Sequence, residues 1–285
     1  MYEEVGISSN NVPITLSIWY TERSSPTIVF LPGTMSHPLM YENFLCGLSE
    51  RGFNIIGVHY LSHGKSPKIK KNYTMEDMLH NVYDATTYGI ENFGKNIAIM
   101  GSSQGGILAA MAAGRDTRLK AVFPHNIMLT TLKETMSLTK YPVWTHRFMG
   151  LIQWGFRVGG KLLPNYKVPG DAYLDYNKVF YSEQAKHDCL TDPMLLPYYP
   201  LRFVASLFNA DLSCLENGSI QCPVILITAK GDPLFSFDYT NKVFDLIHAP
   251  QKELLTLELN RHMIFNEDTD TTINALEPTL HKYLG

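Results

Sequence analysis

The chain has 285 residues, 45% of them hydrophobic and 18% charged, with a formal net charge of −3. That is apolar material enough for one domain with an insertion or for two small domains. The charge excludes bulk electrostatic attraction to nucleic acid, and no run reaches the ~18 consecutive apolar residues of a membrane span.

The opening Met1-Tyr2-Glu3-Glu4 has neither the basic start nor the apolar run of a secretory leader. Cys46, Cys189, Cys214 and Cys222 are scattered without a Cys-x-x-Cys pair, which fits free thiols in a reducing, cytoplasmic setting. The first twenty residues alternate apolar and polar around Asn10-Asn11, which predicts an antiparallel hairpin at a sheet edge. Thr27–Leu31 is a short continuous apolar run, the mark of a strand covered on both faces, and it ends in Pro32-Gly33. A helix through Tyr41–Ser49, a strand over Phe53–Val58 and a helix around Met75–Tyr88 follow. Asn96–Met100 is the next strand. It runs straight into Gly101-Ser102-Ser103-Gln104-Gly105-Gly106 and then into the small-residue helix pattern Ile107–Ala113. A serine on so sharp a strand-to-helix turn projects its hydroxyl beyond the sheet, at the positive end of the helix. Gly101 and Gly105 stand where a Cβ would clash, and Gly106 lets helix and strand approach closely.

Leu119–Phe123, Val224–Thr228 and Leu254–Leu257 continue the strand series, with a helix about Tyr239–His248. Strands alternating with helices imply an α/β fold whose mostly parallel sheet is covered on both faces. Between about Asn126 and Asn217 the strand pattern is lost and the chain turns helical and aromatic. This predicts a core of residues 1–125 and 217–285, with residues 126–216 inserted as a helical cap over the strand ends, where open α/β sheets bind ligands.

A serine hydroxyl needs a base within reach and a third group to orient that base. In this topology the acid should follow a late strand and the histidine the last one. Asp232, in Lys230-Gly231-Asp232-Pro233, and His262, in Asn260-Arg261-His262, fall in that order, so Ser103, Asp232 and His262 are the candidate catalytic residues. The oxyanion of acyl transfer needs two donors. The backbone N–H of Gln104 and that of Thr34, in the loop after the early buried strand, fit. Met35, His125, Leu234 and Met263, beside these turns, are the expected substrate-binding residues. The chemistry asks for no metal and no other cofactor.

This set resembles the α/β-hydrolase family, and within it capped serine hydrolases related to monoacylglycerol lipases, lysophospholipases and prolyl-type aminopeptidases. Phe30-Leu31-Pro32-Gly33-Thr34 is similar to the family's oxyanion loop, Leu61-Ser62-His63-Gly64-Lys65-Ser66 to its Arg-Gly-x-Gly-x-Ser segment, and Gly101–Gly105 to its nucleophile elbow. Pro32 replaces the usual histidine of a His-Gly pair, Ser102 stands where lipases often carry histidine, and Leu61 and Ser62 replace Arg and Gly. The resemblance implies a small-molecule ester substrate. The same triad also serves amide, thioester and carbon–carbon bond hydrolysis, and a ligand sensor with little turnover is the alternative from another class.

The insertion's aromatics favour apolar acyl or aryl esters; an aminopeptidase would need acids there, for which Glu183, Asp188 and Asp192 are the candidates. On a helix drawn through Trp144–Leu162, Trp144, Phe148, Leu151 and Ile152 share one face and Arg147, Arg157 and Lys161 the opposite arc. The simpler reading is a lid that packs its aromatic face on the core. The alternative is a basic amphipathic segment resting on an anionic membrane. The sequence sets no oligomeric state.

Overall fold

The computed structural model describes residues 1–70 and 72–285. Its main sheet contains β1 (Tyr2–Ser9), β2 (Val12–Trp19), β3 (Thr27–Leu31), β4 (Asn54–His59), β5 (Ile97–Ser102) and β6 (Ala121–His125). β7 (Lys167–Val168) and β8 (Tyr199–Pro200) form a separate two-stranded ribbon, and β9 (Val224–Ala229) and β10 (Lys252–Leu257) complete the main sheet. Its order is β1-β2-β4-β3-β5-β6-β9-β10, parallel from β4 onward, with β1 and β2 antiparallel at one edge. Asn10 and Asn11 both take positive φ, 47° and 62°, the turn that matches strand twist in a two-residue hairpin.

β3, β4, β5, β6 and β9 are buried along their whole length, which is why they read as unbroken apolar runs rather than as alternation. Edge strand β10 is only partly buried. β6 was expected to stop before Pro124, but pairing continues through Pro124 and His125, opposite Gly101 and Ser102. The His125 carbonyl then accepts the Ser103 N–H at 2.9 Å.

The helices in chain order are α1 (Glu42–Glu50), α2 (Met75–Phe93), α3 (Gln104–Ala113), α4 (Met149–Leu162), α5 (Tyr176–Val179), α6 (Glu183–Thr191), α7 (Leu201–Leu207), α8 (Phe237–Leu246), α9 (Ile264–Glu267) and α10 (Thr269–Leu284). Thr74 starts α2 with a capping box: its hydroxyl accepts the Asp77 N–H, and the Asp77 carboxylate accepts the Thr74 N–H. α3 is buried at every position, so its glycines and alanines reflect the closeness of its neighbours on all sides. Apolar clusters fill both faces of the sheet. α4 to α7 and the small ribbon all lie between β6 and β9 in the chain, so the segments after β3, β5, β9 and β10 share one end of the sheet with the start of this insertion.

Candidate active site

Ser103 is the turn residue between β5 and α3, and its backbone sits at φ 52°, ψ −110°. A non-glycine residue is held there only by its surroundings, and the surroundings are tight. A Cβ on Gly101 would lie 2.0 Å from the Gly105 carbonyl oxygen, and one on Gly105 would lie 2.0 Å from that of Leu31. A Cβ on Gly106 would lie 2.2 Å from the Asn126 carbonyl oxygen. The small residues therefore let α3 press against the β3 and β6 ends while the elbow thrusts Ser103 outward.

His262 Nδ1 lies 2.9 Å from Asp232 Oδ2, with both residues buried. Asp232 is fully engaged. Its Oδ1 accepts the Leu234 and Phe235 amides at 2.8 and 2.9 Å, and its Oδ2 also accepts Asn126 Nδ2 at 2.9 Å. Burial alone would raise this carboxyl. The His262 interaction, helped by His125 and the Phe235 amide, outweighs burial and holds it below the usual carboxylate range. Because a carboxylate only accepts, His262 carries its proton on Nδ1 and leaves Nε2 as the free lone pair. The Phe235 ring stacks on the imidazole, 5.5 Å between centroids at 12°, and fixes its plane.

A cavity of about 590 Å³ is lined by Ser103, His262, Thr34, Met35, Leu234 and Met263, together with residues of the insertion. Ser103 and His262 thus share one wall, though no hydrogen bond joins them among the described residues, a looseness common before substrate binds. A second, much smaller cavity of about 40 Å³ also touches Thr34, Ser103 and Leu234, and adds Gln104 and Phe235 but not His262. The two expected oxyanion donors flank Ser103. Gly33 N–H goes to the Tyr41 hydroxyl at 3.2 Å and Met35 N–H to the Tyr199 hydroxyl at 2.8 Å. The Thr34 N–H between them and the Gln104 N–H, first of α3, have no backbone partner among the described residues.

His125 is the sequence candidate that the structure keeps off the cavity wall. It is 1% exposed, lines neither cavity, and lies behind the pair with its ring 5.4 Å from that of His262. Burial, reinforced by His262, drops its pKa to about 3, so it is neutral. The donor atoms of His125, Asp232 and His262 all lie within 4.8 Å of one another, a spacing a metal ion would also accept. Their hydrogen bonds argue otherwise: both carboxylate oxygens are taken, and His125 Nε2 accepts Asn126 Nδ2 at 3.1 Å.

Compared with known protein families, residues 22–269 match the model for "Serine aminopeptidase, S33". The chain belongs to that family. No curated protein sequence matches it. Among solved structures, this S33-family α/β-hydrolase is similar to the monoacylglycerol lipase of Paleococcus ferrophilus, at 19% identity over 95% of this chain and 99% of that one, with a TM-score of 0.77. It is equally similar in shape to a soluble variant of the Saccharomyces cerevisiae monoglyceride lipase (15% identity, 100% and 96% covered, TM-score 0.77). A carboxyl esterase from Bacillus coagulans follows at 12% identity, 100% and 99% covered, TM-score 0.73. At these identities the likeness is one of fold.

Two residues of this hydrolase that the sequence reading passed over hold the site together. Asn126, at φ 62°, bridges Asp232 and His125; the only hint was its place directly after β6. Tyr199, one aromatic among many in the insertion, is fully buried. Its hydroxyl accepts Met35 N–H and Gln104 Nε2 (3.2 Å) and lies 3.1 Å from His63 Nε2. His63 Nδ1 is 2.8 Å from the Leu61 carbonyl, which only accepts, and burial lowers this imidazole to about 4. Neutral His63 therefore accepts a hydrogen bond from the Tyr199 O–H at Nε2.

Proposed function

We propose that this chain is a serine hydrolase that cleaves carboxylic esters of apolar acyl or aryl substrates through an acyl-enzyme. Ser103 Oγ attacks the carbonyl carbon while His262 Nε2 takes its proton. Asp232 orients the ring and stabilises the imidazolium, and the Thr34 and Gln104 amides hold the oxyanion. His262 returns the proton to the departing alcohol, and water then frees the acid by the same route. The observation that carries this reading is the buried His262–Asp232 hydrogen bond opening on the cavity that Ser103 lines. A fluorophosphonate probe should label Ser103, and p-nitrophenyl esters should be hydrolysed over many turnovers. Ser103→Ala should abolish both. Stoichiometric release without turnover would instead establish the ligand-sensor alternative.

The acids expected to bind a substrate amino terminus are engaged or exposed, although Asp171 also lines the cavity. Asp192 reaches the cavity, but its Oδ2 lies 3.1 Å from His37 Nε2 and its Oδ1 accepts the Met194 amide at 2.7 Å. Glu183 and Asp188 are exposed.

The proposal extends to contact with an anionic membrane through the insertion. The face expected to pack on the core is largely exposed. Trp144, Phe148 and Leu151 are 64, 40 and 63% exposed, as are Trp154 and Leu162 at 57 and 74%, with Ile152 partly buried; α4 meets α7 through Gly160, and Phe156 stacks on Phe208 just beyond α7. Apolar side chains of this size beside Arg147, Arg157 and Lys161 suit an interface of acyl chains and anionic headgroups. Co-sedimentation with anionic vesicles that Trp144→Ser and Trp154→Ser together weaken would support this extension. No helix among the described residues is long and apolar enough to cross a membrane. Four unpaired cysteines fit a reducing compartment.

A further inference from the structure

The two cavities that meet at Ser103 differ more than tenfold in size, and the chemistry of the triad says which half of the substrate each receives. We propose that this enzyme is selective for esters of short acyl chains, of about two to four carbons, joined to bulky apolar alcohols. This rests on the serine-hydrolase reading above and specifies its substrate. At the tetrahedral stage the carbonyl carbon carries four groups: Ser103 Oγ, the oxyanion on the Thr34 and Gln104 amides, the alkoxy oxygen and the acyl carbon. The alkoxy oxygen must take a proton from His262 as the C–O bond breaks, so the alcohol lies on the imidazole side. The acyl carbon points away from it.

His262 and Met263 line the cavity of about 590 Å³ and are missing from the wall of the smaller one. The large cavity is therefore the alcohol side, and the small one, floored by Gln104 and α3, is the acyl side. At about 40 Å³, against the ~10–15 Å³ that just admits one water, the acyl side takes only a few heavy atoms. Ile107, Leu138, Leu207 and Phe208 close it, and each is at most 3% exposed. A longer chain would have to displace packed side chains from α3, α7 and the segment after β6. In the balanced reaction Ser103 Oγ gains the acyl group and loses its proton through His262 to the alcohol. Water then adds across the acyl-enzyme, giving the short acid and the restored hydroxyl.

The test is kcat/KM for the intact enzyme over two series. In the first, the p-nitrophenyl leaving group is constant while the acyl chain runs from acetyl to decanoyl. In the second, acetate is constant while the alcohol grows from ethyl to naphthyl. The maximum should fall at two to four acyl carbons with a drop of at least tenfold by octanoyl, and activity should rise with alcohol bulk. Leu138→Ala, which removes part of the end wall, should move the acyl optimum upward by one to three carbons. Octanoyl or decanoyl esters turned over as well as butyryl would overturn the proposal alone, and so would an alcohol series that falls with bulk. Absence of turnover in both series, with Ser103 unlabelled by fluorophosphonate, would overturn it together with the reading on which it rests.

Discussion

The central strands and helix α4 bury their apolar residues to very different degrees. β3, β4, β5, β6 and β9 show no exposed position, whereas α4 turns Leu151, Trp154 and Leu162 outward. The sheet end is where displacement of an atom by an ångström matters, because Ser103 is held in a conformation that only its packing sustains. The outer face of α4 is where the chain can vary its surface at little structural cost.

The same substitution placed in each region is the sharpest way to break this comparison. Gly105→Ala puts a Cβ 2.0 Å from the Leu31 carbonyl oxygen, against backbone that cannot swing aside. It should cost roughly 3 kcal/mol or more, read as loss of the cooperative thermal transition or of soluble protein. At the far end of the scale, a Cβ on Gly150 in α4 meets nothing within 4 Å. Gly150→Ala should raise stability by up to about 1 kcal/mol with activity on soluble esters unchanged.

Acid acts on three buried histidines at once. His59 and His125 are lowered to about 3, and His63 to about 4, by burial. The unfolded chain binds protons near 6.5 while the folded one does not. The stability these residues lend is therefore complete above about pH 6.5 and drains away as pH falls toward 4 and then 3. The loss is about 1.4 kcal/mol per pH unit for each histidine. Thermal midpoints measured from pH 8 down to 4 should be flat at first and then drop steeply; a flat profile to pH 4 would contradict the assigned neutral state.

Tyr199→Phe comes third and tests whether the two regions are as independent as their burial suggests. The ring packing survives, but Met35 N–H and Gln104 Nε2 lose their acceptor. Direct removal of an oxyanion donor costs ~2.7–4 kcal/mol, so loosening the loop that carries the proposed Thr34 donor should cost less, about tenfold in kcat with KM little moved. An equal fall in stability and KM with kcat intact would mark Tyr199 as mere core.

What could be read from the sequence was local. The elbow glycines, the apolar strand runs and the turns carrying Asp232 and His262 are each specified within a few residues, and the family's chain order joins them. The rest depends on contacts across long separations. Tyr199 meets Met35 across 164 positions, and nothing in Tyr198-Tyr199-Pro200 distinguishes the second tyrosine from its neighbours. His125 drew attention as a titratable group after a strand, yet the next residue, Asn126, touches Asp232, because the backbone turns through positive φ there. The α4 pattern was legible as amphipathic. Which of its faces meets the protein was not, since Phe156 and Gly160 find Phe208 and α7 only in three dimensions.

Met35 sits at φ 61° with both backbone polar groups tied to the insertion: its N–H to Tyr199 and its carbonyl to the Leu196 amide at 3.0 Å. The loop that presents the Thr34 amide is thus propped from above by a segment spliced in much later in the chain. On the proposed reading, a version of this protein shorn of the proposed cap, residues 126–216, would not become a promiscuous catalyst with an open mouth. It would be an idle one, and any graft that swaps one lid for another must bring its own prop for that loop.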